Sequence, residues 1–385
     1  VKKRILIIYE TAGGGHYANA KAIEKAVGLR YPDSEVHLMH VSQASGSKRI
    51  TALYNSYNDL LKADPRLVRY GYRVMNAVNA ERLVVPLVPR AYRKFEEYFL
   101  KVKPDIVVSV FGVFNYTTRR LLDDLGWSGQ VPFVIFVTDL TRNFLKSWVH
   151  PDADLMIAML PEAREQLLAY GMDPARIHVL DGLPVNPTFS TQQVDTETAR
   201  RQLGLAVDRF TILVTMGGVA NKNTVRFAAE LAESGLPVQL VVCCGRNAGL
   251  KRQVEKLASR ATIPIRVLGF TDQMPLLMDA CDLAISKPGP GTIAELVHKE
   301  RPFLLDGIFA PMPQEMGNVD FVVERGIGRV ITPREGVVDW VRRLMDRPEE
   351  LEAMRVAMRA IRNPEAVFDL VDRIMEAETA ASRPS

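Results

Sequence analysis

Apolar residues fall along this chain in short unbroken runs separated by longer amphipathic stretches. In the first half the runs are residues 4–9, 35–41, 105–111, 131–137, 154–159 and 176–180. Strands that are apolar on successive residues bury both faces, whereas a sheet open to water on one side alternates. The pattern therefore predicts a parallel sheet covered by helices on both sides. A Gly182-Leu183-Pro184-Val185-Asn186-Pro187 segment and a polar stretch over 190–198 interrupt the rhythm, and it then restarts at 210–216, 238–244, 265–270, 282–286, 302–306 and 328–331. The expected class is α/β, with two Rossmann-like doubly wound domains facing a central cleft, because open α/β sheets bind ligands at the carboxyl ends of their strands. Boundaries follow the breaks: a first domain over 1–187, a linker over 188–205, a second domain over 206–347, and closing helices over 348–385 that pack across the domains.

Composition adds little to this picture. At 385 residues and 47% hydrophobic content the chain can fill two cores. Its three cysteines, two of them adjacent as Cys243-Cys244, suit a reducing cytoplasm and form no metal-ligand spacing. The opening run Ile5-Leu6-Ile7-Ile8 ends at Glu10 and reads as a buried strand, not as a signal segment, and no stretch approaches the roughly 20 apolar residues that cross a bilayer.

Charge is uneven where the total of +4 is modest: residues 46–103 hold twelve Lys or Arg against five Asp or Glu. Arg66, Arg69 and Arg73 form one helical stripe beside Leu67, Tyr70, Val74 and Val78. Such a helix suits either an anionic membrane surface or a core-packed element with a solvated edge. Nucleic acid is not expected, since no aromatic-basic recognition motif accompanies the charge.

Several turns carry candidate chemistry. Gly13-Gly14-Gly15-His16 follows the first strand, where bare backbone N–H groups can meet a polar acceptor and a histidine can act as a base or simply cap or pack. Met216-Gly217-Gly218 and Cys244-Gly245-Arg246-Asn247 end two strands of the second half, and arginine suits phosphate. Ser286-Lys287-Pro288-Gly289-Pro290-Gly291-Thr292 must form a stiff turn suited to an anion, and Thr292-x-x-Glu295 matches a capping box that could instead offer Glu295 to a ribose. Gln314, Glu315 and Asn318 supply donors and acceptors for a hexose, or a polar helix start. Asp152-Ala153-Asp154 has an Asp-x-Asp pattern but is read as a turn entering a strand, and His37, His40, His178 and His298 are read as structural.

Taken in order, these motifs, with Val137-Thr138-Asp139-Leu140, Trp148, His150-Pro151 and Gly269-Phe270, resemble the monogalactosyldiacylglycerol synthases and bacterial processive diacylglycerol glycosyltransferases. The resemblance implies a GT-B fold and an inverting, metal-independent transfer of galactose or glucose from a UDP-sugar to a lipid hydroxyl, with no cofactor. It implies an acceptor-binding first domain on the inner face of a membrane, held there through residues 46–103, in an otherwise cytoplasmic protein. Gly14, Gly15, Asp139 and Trp148 would serve the acceptor. Gly217, Gly218, Arg246, Lys287, Gly289, Gly291 and Thr292 would serve the diphosphate, Phe270 the uracil, Glu295 the ribose, and Gln314, Glu315 and Asn318 the sugar. The family's aspartate five residues before the histidine is Thr11 here, so the expected base is His16, with Glu10 as substitute. A UDP-sugar epimerase of the same fold, or transfer to a soluble acceptor, are the alternatives.

Overall fold

The structure is a computed structural model and describes residues 2–11, 14–48, 50–52, 89–218, 220–308 and 313–379. Gly13, Arg66, Arg69 and Arg73 lie outside the described residues, as does most of the basic segment. The chain divides into two compact units, the first made of Val1–Pro187, Met312–Gly317 and Asn363–Ser385, the second of Thr188–Pro311 and Asn318–Arg362.

In the first unit, β1 (Arg4–Tyr9), β2 (Glu35–His40), β3 (Ile106–Ser109), β4 (Phe133–Phe136), β5 (Leu155–Ala158) and β6 (Ile177–Val179) form one sheet in the order β2-β1-β3-β4-β5-β6. Every pairing among them is parallel. The run Ile5 to Ile8 is fully buried, as continuous hydrophobicity requires of a strand covered on both faces. Helix Ala366–Met375 belongs here and packs on helix Gly15–Arg30, where Tyr31 donates to Asp372 at 2.8 Å and Arg30 pairs with the same carboxylate at 2.7 Å.

The second unit repeats the architecture with β7 (Phe210–Thr215), β8 (Val238–Cys243), β9 (Ile265–Leu268), β10 (Leu283–Ser286), β11 (Phe303–Asp306) and β12 (Gly328–Ile331). Their order is β12-β11-β10-β7-β8-β9, again parallel throughout. Helix Pro348–Ile361 packs within this unit, on Pro290–His298 and Val337–Asp346. The closing helices expected over 348–385 are thus divided between the units, one to each.

The polar stretch expected to be a linker is structured. It carries helices Pro187–Thr191 and Thr196–Gln202 and is docked onto the second unit by buried charge. Lys299 and Asp279, both closed to solvent, pair at 2.8 Å, Asp279 accepts from the Val194 N–H at 3.3 Å, and Lys299 donates to the Gln192 carbonyl. Arg200, 6% exposed, donates to the Ala280 and Val207 carbonyls at 2.9 and 2.7 Å. Removing one member of such a network strands the other charge, at a cost of about 3–5 kcal/mol.

Candidate active site

Each sheet has one place where the strand order reverses, β1 beside β3 in the first and β7 beside β10 in the second. Loops leaving the sheet there diverge to opposite faces and open a crevice, which is where α/β sheets take ligands.

At the first reversal the chain leaves β1 through Glu10 and Thr11 and enters helix Gly15–Arg30, with Gly14 in a left-handed conformation at φ +87°. Glu10 is only 1% exposed and is enclosed by donors. Its carboxylate accepts from the Thr11 N–H at 2.8 Å, the Ser42 N–H at 3.0 Å and the two hydroxyls of those residues at 3.2 Å. His40 Nε2 lies 3.1 Å from it. Because the Gln43 N–H donates to His40 Nδ1 at 3.3 Å, the His40 proton resides on Nε2 and points to Glu10.

His16 is the second residue of the helix that follows this turn. Its Nδ1 lies 3.0 Å from Thr138 Oγ1, and its ring meets Phe111 at 5.3 Å and Trp148 at 6.0 Å between centroids. Burial among these aromatic rings lowers its pKa from 6.5 to about 4, against the opposing pull of the Val110 carbonyl and the Glu10 charge. The imidazole is therefore neutral at neutral pH. It is half-buried, and a Cβ added at Gly14 or Gly15 would meet nothing within 4 Å, so the turn beside it is open. Trp148, 3% exposed, donates its indole N–H to Asp139 at 2.7 Å and lies against Gly112, where an added Cβ would stand 2.7 Å from the ring. Asp154 of the Asp-x-Asp sequence accepts from the Phe133 N–H at 2.8 Å.

At the second reversal the chain is built from backbone. Gly217 and Gly245 are left-handed at φ +79° and +54°, and a Cβ on Gly245 would lie 2.6 Å from the Gly218 carbonyl oxygen. The two turns thus touch through their main chains, and the Arg246 N–H donates to that same oxygen at 3.2 Å. The Arg246 guanidinium lies over Phe270, 4.3 Å from its ring centre. After β10 the Gly289 N–H donates to the Lys287 carbonyl at 2.7 Å, and Asn318, almost fully buried, donates to the Pro288 carbonyl at 2.9 Å. The Lys287 side chain runs between two glycines: a Cβ at Gly217 would lie 3.5 Å from its Cε, and one at Gly289 3.5 Å from its Nζ.

The capping box expected at Thr292 and Glu295 does not form. Helix Pro290–His298 starts earlier, with Gly289 at its N-cap and Pro290 fixing the first turn, so Thr292 and Glu295 lie inside it. Glu295 is one turn beyond Gly291, on the same face, and helical side chains lean towards the N-terminus. A Cβ at Gly291 would meet nothing within 4 Å, and burial raises Glu295 to about 8. Gln314 and Glu315 open helix Pro313–Glu324 and fall in the Met312–Gly317 stretch of the first unit. Sequence reasoning assigned no role to Thr138, Phe111 or Ser42 and missed the pairing role of His40. Thr138 stands inside the motif Val137 to Leu140 and Phe111 ends the expected third strand, while the last two become visible only when β2 is placed next to β1.

Residues 16–185 match the family model described as monogalactosyldiacylglycerol (MGDG) synthase, and residues 211–365 that of the glycosyltransferase family 28 C-terminal domain. The chain is 31% identical over 387 residues to a probable MGDG synthase 2 of Oryza sativa subsp. japonica, covering 97% of this chain and 80% of the relative. It is 31% identical over 389 residues to MGDG synthase 2 of Arabidopsis thaliana, covering 97% and 81%. Among solved structures, MurG of Acinetobacter baumannii superposes with a TM-score of 0.63 at 17% identity over 97% of this chain and 99% of that one. Anabaena HepE in complex with UDP-glucose gives 0.59 at 16% over 97% and 98%. These two fix the GT-B type of the fold, and the sequence relatives fix the family: the chain belongs to the monogalactosyldiacylglycerol synthases and is a glycosyltransferase.

Proposed function

We propose that this glycosyltransferase moves a hexose, galactose or glucose, from a UDP-sugar to a lipid hydroxyl, with diacylglycerol as the first acceptor to test. The observation that carries the donor half is Lys287 laid between Gly217 and Gly289 at the β7–β10 reversal. Lysine charge, glycine amides and the N-terminus of helix Pro290–His298 together suit a diphosphate, and Glu295 suits the ribose diol. HepE, which shares the fold, is seen with UDP-glucose.

For the acceptor half, the hydroxyl oxygen attacks the sugar C1 as the bond from C1 to the phosphate oxygen breaks with inversion. The proton passes to the neutral His16, and the negative charge left on UDP is met by the Lys287 turn. Glu10, enclosed by its donors, acts on His16 through its charge, which favours the protonated ring. The reading assigns no step to a metal, so transfer should continue in EDTA. Among the described residues no helix is long and apolar enough to cross a membrane. Helix Pro89–Val102 exposes Arg90, Arg93, Lys94 and Lys101 around Glu97, with Leu100 46% exposed, a net cationic face suited to anionic lipid.

Labelled UDP-galactose and UDP-glucose, each incubated with diacylglycerol liposomes, test the proposal. It expects labelled glycolipid and equimolar UDP. Label appearing only in soluble products, or in an epimerised nucleotide sugar without acceptor, would overturn it.

A further inference from the structure

Arg246 has its backbone on one feature of the second unit and its side chain on another. The main-chain N–H holds the Gly218 carbonyl of the β7 turn, while the guanidinium covers the Phe270 ring at 4.3 Å, within reach of a cation–π contact. Both residues are exposed, Phe270 at 59%. Phe270 follows β9 by two residues, and Gly269 before it lies against Gly245, where an added Cβ would stand 3.7 Å from the Gly245 carbonyl oxygen. An exposed ring beside an anion cradle is a stacking platform for a nucleobase. Here the guanidinium occupies a face of that platform.

We infer that Arg246 is a specificity-determining residue that covers Phe270 until a diphosphate draws it away, so that base stacking and phosphate binding are coupled. The inference rests on the nucleotide-sugar reading of this site. An exposed cation–π contact is worth about two- to fivefold in an equilibrium. A hydrogen bond from a guanidinium to a phosphate oxygen is worth about tenfold or more. A nucleoside must therefore displace Arg246 with nothing to offer it in return, whereas a nucleoside diphosphate exchanges the weaker contact for the stronger. Because the Arg246 backbone already sits on the β7 turn, the exchange needs only side-chain rotation.

Titration calorimetry with UDP and with uridine, on the wild type, Arg246→Ala, Phe270→Leu and the double variant, tests this. Arg246→Ala should bind uridine about two- to fivefold more tightly and UDP about tenfold more weakly. The uridine gain should vanish when Arg246→Ala is made on the Phe270→Leu background. Unchanged or weaker uridine binding in Arg246→Ala would overturn the inference and leave Arg246 a phosphate ligand alone. Undiminished UDP binding would overturn the coupling. Failure of the wild type to bind UDP at all would instead remove the nucleotide-sugar reading on which the inference stands.

Discussion

The reversals at β1–β3 and β7–β10 occupy the same place in their sheets but are furnished differently. The first uses side chains: His16 held by Thr138 between Phe111 and Trp148, and Glu10 closed in by Thr11, His40 and Ser42. The second uses main chain, with Gly217, Gly245 and Gly289 clearing the way for backbone contact and for Lys287. Titratable side chains in a desolvated setting hold or move a proton, whereas glycine turns and a helix N-terminus hold an anion. On the proposed function one fold element, used twice, serves two halves of one transfer through different residue types, and each half should fail separately.

The largest separation is expected at His16. His16→Ala should lower transfer by about 100- to 10,000-fold, the range for loss of a general base, with UDP affinity unchanged in calorimetry. Its lowered pKa gives a second readout. Between about 4 and 6.5 the unfolded chain takes up a proton that the folded ring resists, so stability from this ring is present above 6.5 and is lost as pH falls to about 4. The variant should lack that slope in thermal melts. If UDP binding collapsed along with transfer, the division of labour would be wrong.

Gly245→Ala attacks the other half. The residue would be strained at φ +54° and would press a methyl to 2.6 Å from the Gly218 oxygen, so one of the two turns must move. Strain of about 1–3 kcal/mol and a loss of UDP affinity of about tenfold or more are expected, by melting and calorimetry. A variant with a lowered melting temperature but wild-type UDP affinity would show that the touching turns serve folding only.

Much of this was legible in the sequence, for reasons that differ by element. Among the described residues all twelve strands form within a residue or two of the expected span. The eight inner ones announce themselves because parallel strands buried on both faces are apolar on nearly every residue, whereas the edge strands β2, β6, β9 and β12 are only partly buried and carry polar residues such as His37, His178, Arg266 and Arg329. The glycine and proline turns were legible because few other residues make such turns. The Glu10–His40–Ser42 cluster was not, since it depends on the register that sets Tyr9 beside His40. The residues at 190–198 looked like a linker because their anchors, Asp279 and Lys299, lie far along the chain. The capping box was misplaced because Pro290 starts its helix two residues before Thr292.

That last correction makes Glu295 a sharper test. With no cap to serve, Glu295→Gln should weaken UDP binding by up to about tenfold, as loss of a hydrogen-bond partner does, without lowering stability. The pH dependence has a definite sign. Because folding raises this carboxyl from 4.5 to about 8, the folded state binds more protons in that window, and stability attributable to Glu295 falls as pH rises from about 4.5 to about 8. Glu295→Gln should therefore melt with the wild type at pH 4 and a few degrees above it at pH 8. Equal melting temperatures at both pH values would mean that the carboxylate is already solvated and not poised for a ligand.

The smallest effect is expected from the scaffold of the first reversal. Trp148→Phe keeps the ring that packs beside His16 and against Gly112 but removes the N–H given to Asp139. Loss of that charge-assisted bond should cost about 1–3 kcal/mol of stability. Transfer should fall less than tenfold, because His16 keeps Thr138 and Phe111 and its neutral state is set by burial, not by Asp139. The KM for the UDP-sugar should not move, since neither residue lies among the glycine turns around Lys287. A decline in transfer as large as that of His16→Ala would show that Asp139 acts on the reacting groups directly, and would add a second charge to the proton-handling half.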